Sequence, residues 1–115
     1  TFAFPPVSSA RGATEDVLTR FATFAETMLA PETVIVRLCG DCPLLCPYLL
    51  EEVVAQGWQA QPGLEYLGMG AGWPDGLADI DIFTGAVLAR AHTEATSLSD
   101  REHVTPIMWR QPERY

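Results

Sequence analysis

Asp41 stands in Cys39-Gly-Asp-Cys-Pro-Leu-Leu-Cys-Pro47, directly after the apolar run Val34-Ile-Val-Arg-Leu38. The spacing puts a carboxylate at the carboxyl end of a strand, where open α/β sheets bind their ligands. Such a group either coordinates a metal or substrate, or satisfies loop backbone donors. Asp79-Ile-Asp-Ile-Phe83 holds a second pair of carboxylates. Strict alternation sets Asp79 and Asp81 on one face of a strand and Ile80 and Ile82 on the other. That pair reads as metal ligands or as a solvated strand face.

Cys39, Cys42 and Cys46 are spaced CxxCxxxC, which invites a metal test. Tetrahedral zinc wants a fourth ligand, and His92 and His103 are the only imidazoles. Cys39 extends the strand and Cys46 precedes a proline-led helix. The thiols are therefore assigned to packing, as small buried hydrophobes, and no stoichiometric zinc or iron is expected. An odd count, with Thr1-Phe-Ala-Phe-Pro-Pro6 lacking a basic signal region, implies reduced thiols in a cytoplasm.

These residues need elements to hold them. Residues 1–12 read as irregular. Thr14 can cap a helix with Glu15 and Asp16 in its first turn. Val17, Leu18, Phe21, Phe24, Ala25, Met28 and Leu29 then form an apolar stripe, and Pro31 ends it. The run 34–38 reads as a strand covered on both faces, interrupted only by Arg37. Pro47 to Gln56 predicts a helix burying Leu49, Leu50, Val53 and Val54, with Gly57 as its stop. Leu64 to Met69 reads as a strand. Gly68 to Gly76 reads as a turn-rich loop without the phosphate-cradle pattern. Thr84 can cap a helix turning Val87, Leu88 and Ala91 inward. Ser99-Asp-Arg-Glu102 fits a capping box for a last helical segment, interrupted by Pro106.

Composition closes off several classes. Apolar residues make up 48% of 115 positions, and mean hydropathy is +0.09, so the chain folds as one domain with a modest core. No apolar run is long enough to span a bilayer. The formal net charge is -8, from seven arginines, no lysine and fifteen acidic residues. A nucleic-acid surface is excluded on that balance. A bound nucleotide would need Mg²⁺, or basic groups from elsewhere, to offset its phosphates.

Four pieces stand in order: Gly12-Ala-Thr-Glu-Asp-Val-Leu-Thr-Arg-Phe21, Val34 through Leu44, Pro74-Asp-Gly-Leu77 leading into Asp79–Phe83, and Ser99-Asp-Arg-Glu-His-Val-Thr-Pro106. Together they resemble the cytidylyltransferase family of spore coat polysaccharide biosynthesis protein F, related to the enzymes that make CMP-sialic acid and CMP-Kdo. The resemblance spans residues 10–115. It implies an α/β, Rossmann-like nucleotide-diphospho-sugar transferase fold, CTP and a sugar acid as substrates, Mg²⁺ as cofactor, and nucleotidyl transfer with release of pyrophosphate. It also admits a homodimer, and it involves neither nucleic acid nor membrane.

Residue by residue, the resemblance implies that Asp41 lies near the nucleotide phosphates and the metal, with Asp81 as a second metal contact. It implies that Asp75, Asp79 and Asp81 face the sugar, and it brings in Arg101, Glu102 and His103 as substrate-side residues. Arg101 either pairs with a substrate carboxylate or bridges to the neighbours of Glu102.

Departures temper this. The family opens with a strand and a Gly/Arg/Lys-rich triphosphate loop that has no counterpart here, and the part after the last motif is missing. Cys46 stands where relatives carry an acidic residue, and Ala78 looks like a one-residue insertion. The expectation is a single partial domain over 1–115, inactive alone. The alternative is a non-catalytic binding or assembly module.

Overall fold

Asp16 starts the first helix as its N-cap. Its carboxylate accepts the Thr19 N–H at 3.0 Å and the Thr19 hydroxyl at 2.8 Å. The cap therefore falls two residues after Thr14, because Asp16 can take both donors at once. The computed structural model describes residues 6–74 and 76–115. Residues 6–12 are exposed and outside any helix or strand, and residues 1–5 lie outside the described ones. Helix α1 runs Val17–Met28, strand β1 Val34–Leu38, and helix α2 Pro47–Glu52. Then come β2 Tyr66–Gly68, β3 Ile80–Thr84, α3 Gly85–Glu94, α4 Leu98–His103 and α5 Pro106–Trp109.

The three strands form an antiparallel sheet in the order β1-β3-β2. The register sets Arg37 opposite Asp81, Ile35 opposite Phe83, and Gly68 opposite Asp81 on the other side. Directly opposed residues project to the same face. One face thus carries Ile35, Phe83 and Tyr66, which pack with Leu18 of α1, Val87, Leu88 and Ala91 of α3, and Val104, Ile107 and Met108. Phe83 is fully buried at the middle of this core. Truncating such a side chain to alanine costs about 3–5 kcal/mol.

The opposite face carries Leu67, Ile80 and Ile82. Helix α2 does not stop at Gly57 but continues as a π-helical segment, Val53–Gln59. Gly57 lies against Leu67, where a Cβ would stand 2.7 Å from Cδ2, so a larger residue there would displace the Leu67 side chain. Leu49, Leu50, Val53 and Val54 are half-buried rather than buried. The result is an α/β arrangement with helices on both sides of a small sheet.

β1 is an edge strand, and its expected burial on both faces is not met. Ile35 and Arg37 point inward, while Val34, Val36 and Leu38 remain 46%, 37% and 43% exposed. The second helical layer leaves an open groove against β1, lined by Val34, Val36, Val54 and Trp58.

The other caps are local. Thr84 Oγ1 accepts the Val87 N–H at 3.3 Å. Helix α4 is capped by Ser97 rather than Ser99: Ser97 Oγ accepts the Asp100 N–H at 3.1 Å and donates to its carboxylate at 2.7 Å. This local pair sets the helix start two residues earlier, and buried Asp100 also binds Arg110. Among the described residues, no helix is long and apolar enough to cross a membrane.

Candidate functional site

A cavity of about 730 Å³ opens along the inner face of the sheet, between β1, the loop from Gly68 to Ile80, and the α4–α5 junction. Its floor is a four-residue hydrogen-bond network centred on Asp81. Tyr66 donates its hydroxyl to Oδ1 at 2.6 Å, and Arg37 Nη1 donates to Oδ2 at 2.8 Å. Thr105 adds a longer contact to Oδ2 at 3.4 Å. The Arg37 and Asp81 side chains retain 17% and 14% exposure. Burial first, and the Asp81 bond next, push the Tyr66 phenol far above its usual range, so it stays a neutral donor.

Two neighbours make this network fit. Gly68 lies beside the Tyr66 ring, and a Cβ there would overlap the hydroxyl that reaches Asp81. Val104 adopts φ 72 and ψ -57, and the Thr105 N–H bonds to the His103 carbonyl at 2.9 Å. That is a γ-turn of the rare positive-φ kind, in a fully buried β-branched residue. It turns the chain sharply between His103 and Thr105, both of which line the cavity.

A second carboxylate cluster lies at the entrance to β3. The buried Cys42 thiol donates to Asp79 Oδ2 at 3.0 Å and lies 3.7 Å from Asp41 Oδ1. The Asp79 bond, then burial, hold the thiol protonated, with its pKa pushed up to about 12. Asp41 and Asp79 are both exposed and approach each other through this one sulfur.

The expected site residues therefore separate. Asp79, Asp81 and His103 line the cavity, and Asp41 meets Asp79 through Cys42. Asp79 precedes β3 rather than lying in it. Asp75 lies outside the described residues. Glu102 is exposed, and among the described residues its one ionic contact is His103 at 3.9 Å. Arg101 is absent from the cavity lining. Its guanidinium is engaged by Asp16 at 3.0 Å, the Ala95 carbonyl at 2.8 Å and the Thr19 hydroxyl at 2.9 Å, a strut between α1 and α4.

Arg37, Tyr66, Thr105 and Cys42 are site residues that sequence reasoning missed. A charged residue inside an otherwise apolar strand was the available signal for Arg37. For the other three the sequence carries no local mark.

Mg²⁺ is commonly held by one or two carboxylates together with substrate phosphates. Among the described residues, no group of three or more His, Cys, Asp or Glu side chains could hold a metal ion. Asp41 and Asp79 fit the shared mode, since both residues are exposed. Asp81 fits poorly, because both its oxygens are committed to Tyr66, Arg37 and Thr105.

No family model matches the chain, and no curated protein matches it. Among solved structures, it is similar to a cytidylyltransferase from Leptospira borgpetersenii serovar Hardjo-bovis (strain JB197), with 28% identity and a TM-score of 0.77. The match covers 91% of this chain and 44% of that one, so the chain spans less than half the length of this neighbour. The likeness in fold and sequence supports a relation to cytidylyltransferases.

Proposed function

We propose that this chain forms the acceptor-side portion of a Rossmann-like cytidylyltransferase that couples CTP to a sugar acid for surface polysaccharide synthesis. The observation that carries the reading is the meeting of Asp41 and Asp79 at Cys42, at the edge of a cavity with a fixed polar floor. The likeness to the Leptospira cytidylyltransferase supports the same assignment.

In this reading, the sugar-acid hydroxyl attacks the α-phosphorus of CTP and pyrophosphate leaves. Positioning and charge neutralisation dominate such chemistry. Asp41 and Asp79 would hold Mg²⁺ jointly with the phosphates, and the ion would supply charge neutralisation on the leaving pyrophosphate. Asp81 instead orients Arg37 and Tyr66. His103 and the half-exposed Trp109 form one wall of the acceptor cavity. Asp75 is carried as a sugar contact from the resemblance. Glu102 and Arg101 act behind the site, Arg101 by fixing α4 to α1.

The test is pyrophosphate release from CTP with Mg²⁺ and a panel of sugar acids. It is run on the chain alone and fused to the portion of the Leptospira protein that it does not match. The chain alone is expected to bind CTP weakly. The fusion is expected to turn over, with Asp41→Asn lowering kcat about 10²-fold, as for loss of one preorganised electrostatic contact. A folded fusion that releases no pyrophosphate with any sugar acid overturns the reading. The non-catalytic alternative then gains ground, since the bare outer face of β1 suits an assembly partner.

A further inference from the structure

Arg37 stands in the middle of β1 with its side chain turned inward, where the rest of the strand is apolar. Holding a guanidinium 17% exposed needs a reason, since desolvating a charge is costly unless it is paired. Asp81 gives part of the reason. It takes one Arg37 nitrogen, Nη1, at 2.8 Å, in a single-point contact and not the two-point fork that arginine and carboxylate form when they only serve each other. Asp81 spends its other oxygen on Tyr66 at 2.6 Å. The guanidinium carries five N–H donors. Beyond Asp81, its nitrogens have no partner among the described residues.

The other arginines near the core are committed elsewhere. Arg101 is taken by Asp16, Ala95 and Thr19, Arg110 by Asp100, and Arg90 by Glu65 and the Arg114 carbonyl. Among the described residues, Arg37 is the one guanidinium lining the cavity.

We propose that Arg37 is the oxyanion-recognition residue of this cavity, taking a carboxylate or phosphate group of the substrate on the guanidinium edge that Asp81 leaves open. The inference rests on the acceptor-cavity reading above and names the group that the cavity selects. The fork is already immobilised, so little side-chain freedom is lost on binding. Asp81 is itself held by Tyr66 and Thr105, so the Arg37 guanidinium is anchored at one nitrogen. Asp79 also lines the cavity, and its carboxylate disfavours an anion beside it.

NMR titration of the chain with glucuronate, glucose and inorganic phosphate tests this, reading shifts of cavity residues. Glucuronate is expected to bind about ten-fold more tightly than glucose, as a charge-assisted pair implies. Arg37→Gln should bring the two within about two-fold, and Arg37→Lys should leave an intermediate preference, because it keeps the charge and loses the fork. If phosphate outcompetes glucuronate in the wild type and not in Arg37→Gln, the group recognised is a phosphate. If Arg37→Gln fails to fold, the Arg37→Lys comparison decides alone. Equal binding of all three probes by the wild type, or a glucuronate preference as large in the folded variants as in the wild type, overturns the assignment. Loss of CTP turnover with this preference intact would sink the reaction and leave Arg37 in place.

Discussion

Cys42 donates its thiol proton to Asp79, 3.0 Å away, and this bond ties the loop after β1 to the entrance of β3. The two residues are 37 positions apart, and the bond brings Asp41 into the same corner. A neutral thiol between two carboxylates separates charges that would otherwise repel.

The first consequence is a reactivity order. With its pKa pushed up to about 12, Cys42 carries roughly 10⁻⁴ thiolate at pH 8. Exposed Cys46 should therefore be alkylated first and Cys42 last, followed by mass spectrometry of peptides from the folded chain. Asp79→Asn removes the main cause of the shift and should raise the Cys42 rate. Equal rates for Cys42 and Cys46 in the folded protein would contradict the bond.

Asp81 gathers Tyr66, Arg37 and Thr105. Asp81→Ala leaves buried donors without an acceptor and should cost about 2–3 kcal/mol in urea unfolding, the range for stranding a partly buried charged partner. Gly68→Ala should be destabilising through the same network, because the new methyl occupies the space of the Tyr66 hydroxyl. If Gly68→Ala unfolds at the wild-type midpoint, Tyr66 does not sit over Gly68.

Val104 offers an inverted substitution order. Val104→Ala loses buried methyl groups, about 2 kcal/mol, and keeps the strained φ. Val104→Gly loses slightly more surface and releases strain of about 1–3 kcal/mol. Glycine should therefore be at least as stable as alanine at this position, by urea midpoint. A clearly less stable glycine variant would argue against the γ-turn.

Asp16 makes stability depend on pH in a definite direction. The Thr19 N–H first, then Arg101, hold its carboxyl below the ordinary value, outweighing burial. A lowered folded-state pKa stabilises the fold above the unfolded value and loses that contribution as pH falls through the folded one. Wild type should exceed Asp16→Ala in thermal midpoint at pH 7, and the gap should close on acidification below the carboxylate range. A gap that persists at pH 2 would assign the effect to something other than ionisation.

The sequence by itself determined where α1, β1, β3 and α3 lie, because apolar spacing and capping groups act over a few residues. Val87, Leu88 and Ala91 went inward as their helical spacing requires, and Ile80 and Ile82 turned from Asp81 as alternation requires. Asp41 fell after its strand for the same local reason. Cap positions shifted by two residues, to Asp16 and Ser97, whose side chains meet donors three residues on.

Only the tertiary structure decided which carboxylates share a site. Strand order left β1 at an edge, so Val34, Val36 and Leu38 stayed partly bare and Arg37 faced inward onto Asp81, 44 positions away. Helix packing carried Arg101 to Asp16, 85 positions away, and out of the cavity. Hydrogen bonds across such separations depend on how whole elements dock, and no local pattern in the chain encodes that docking.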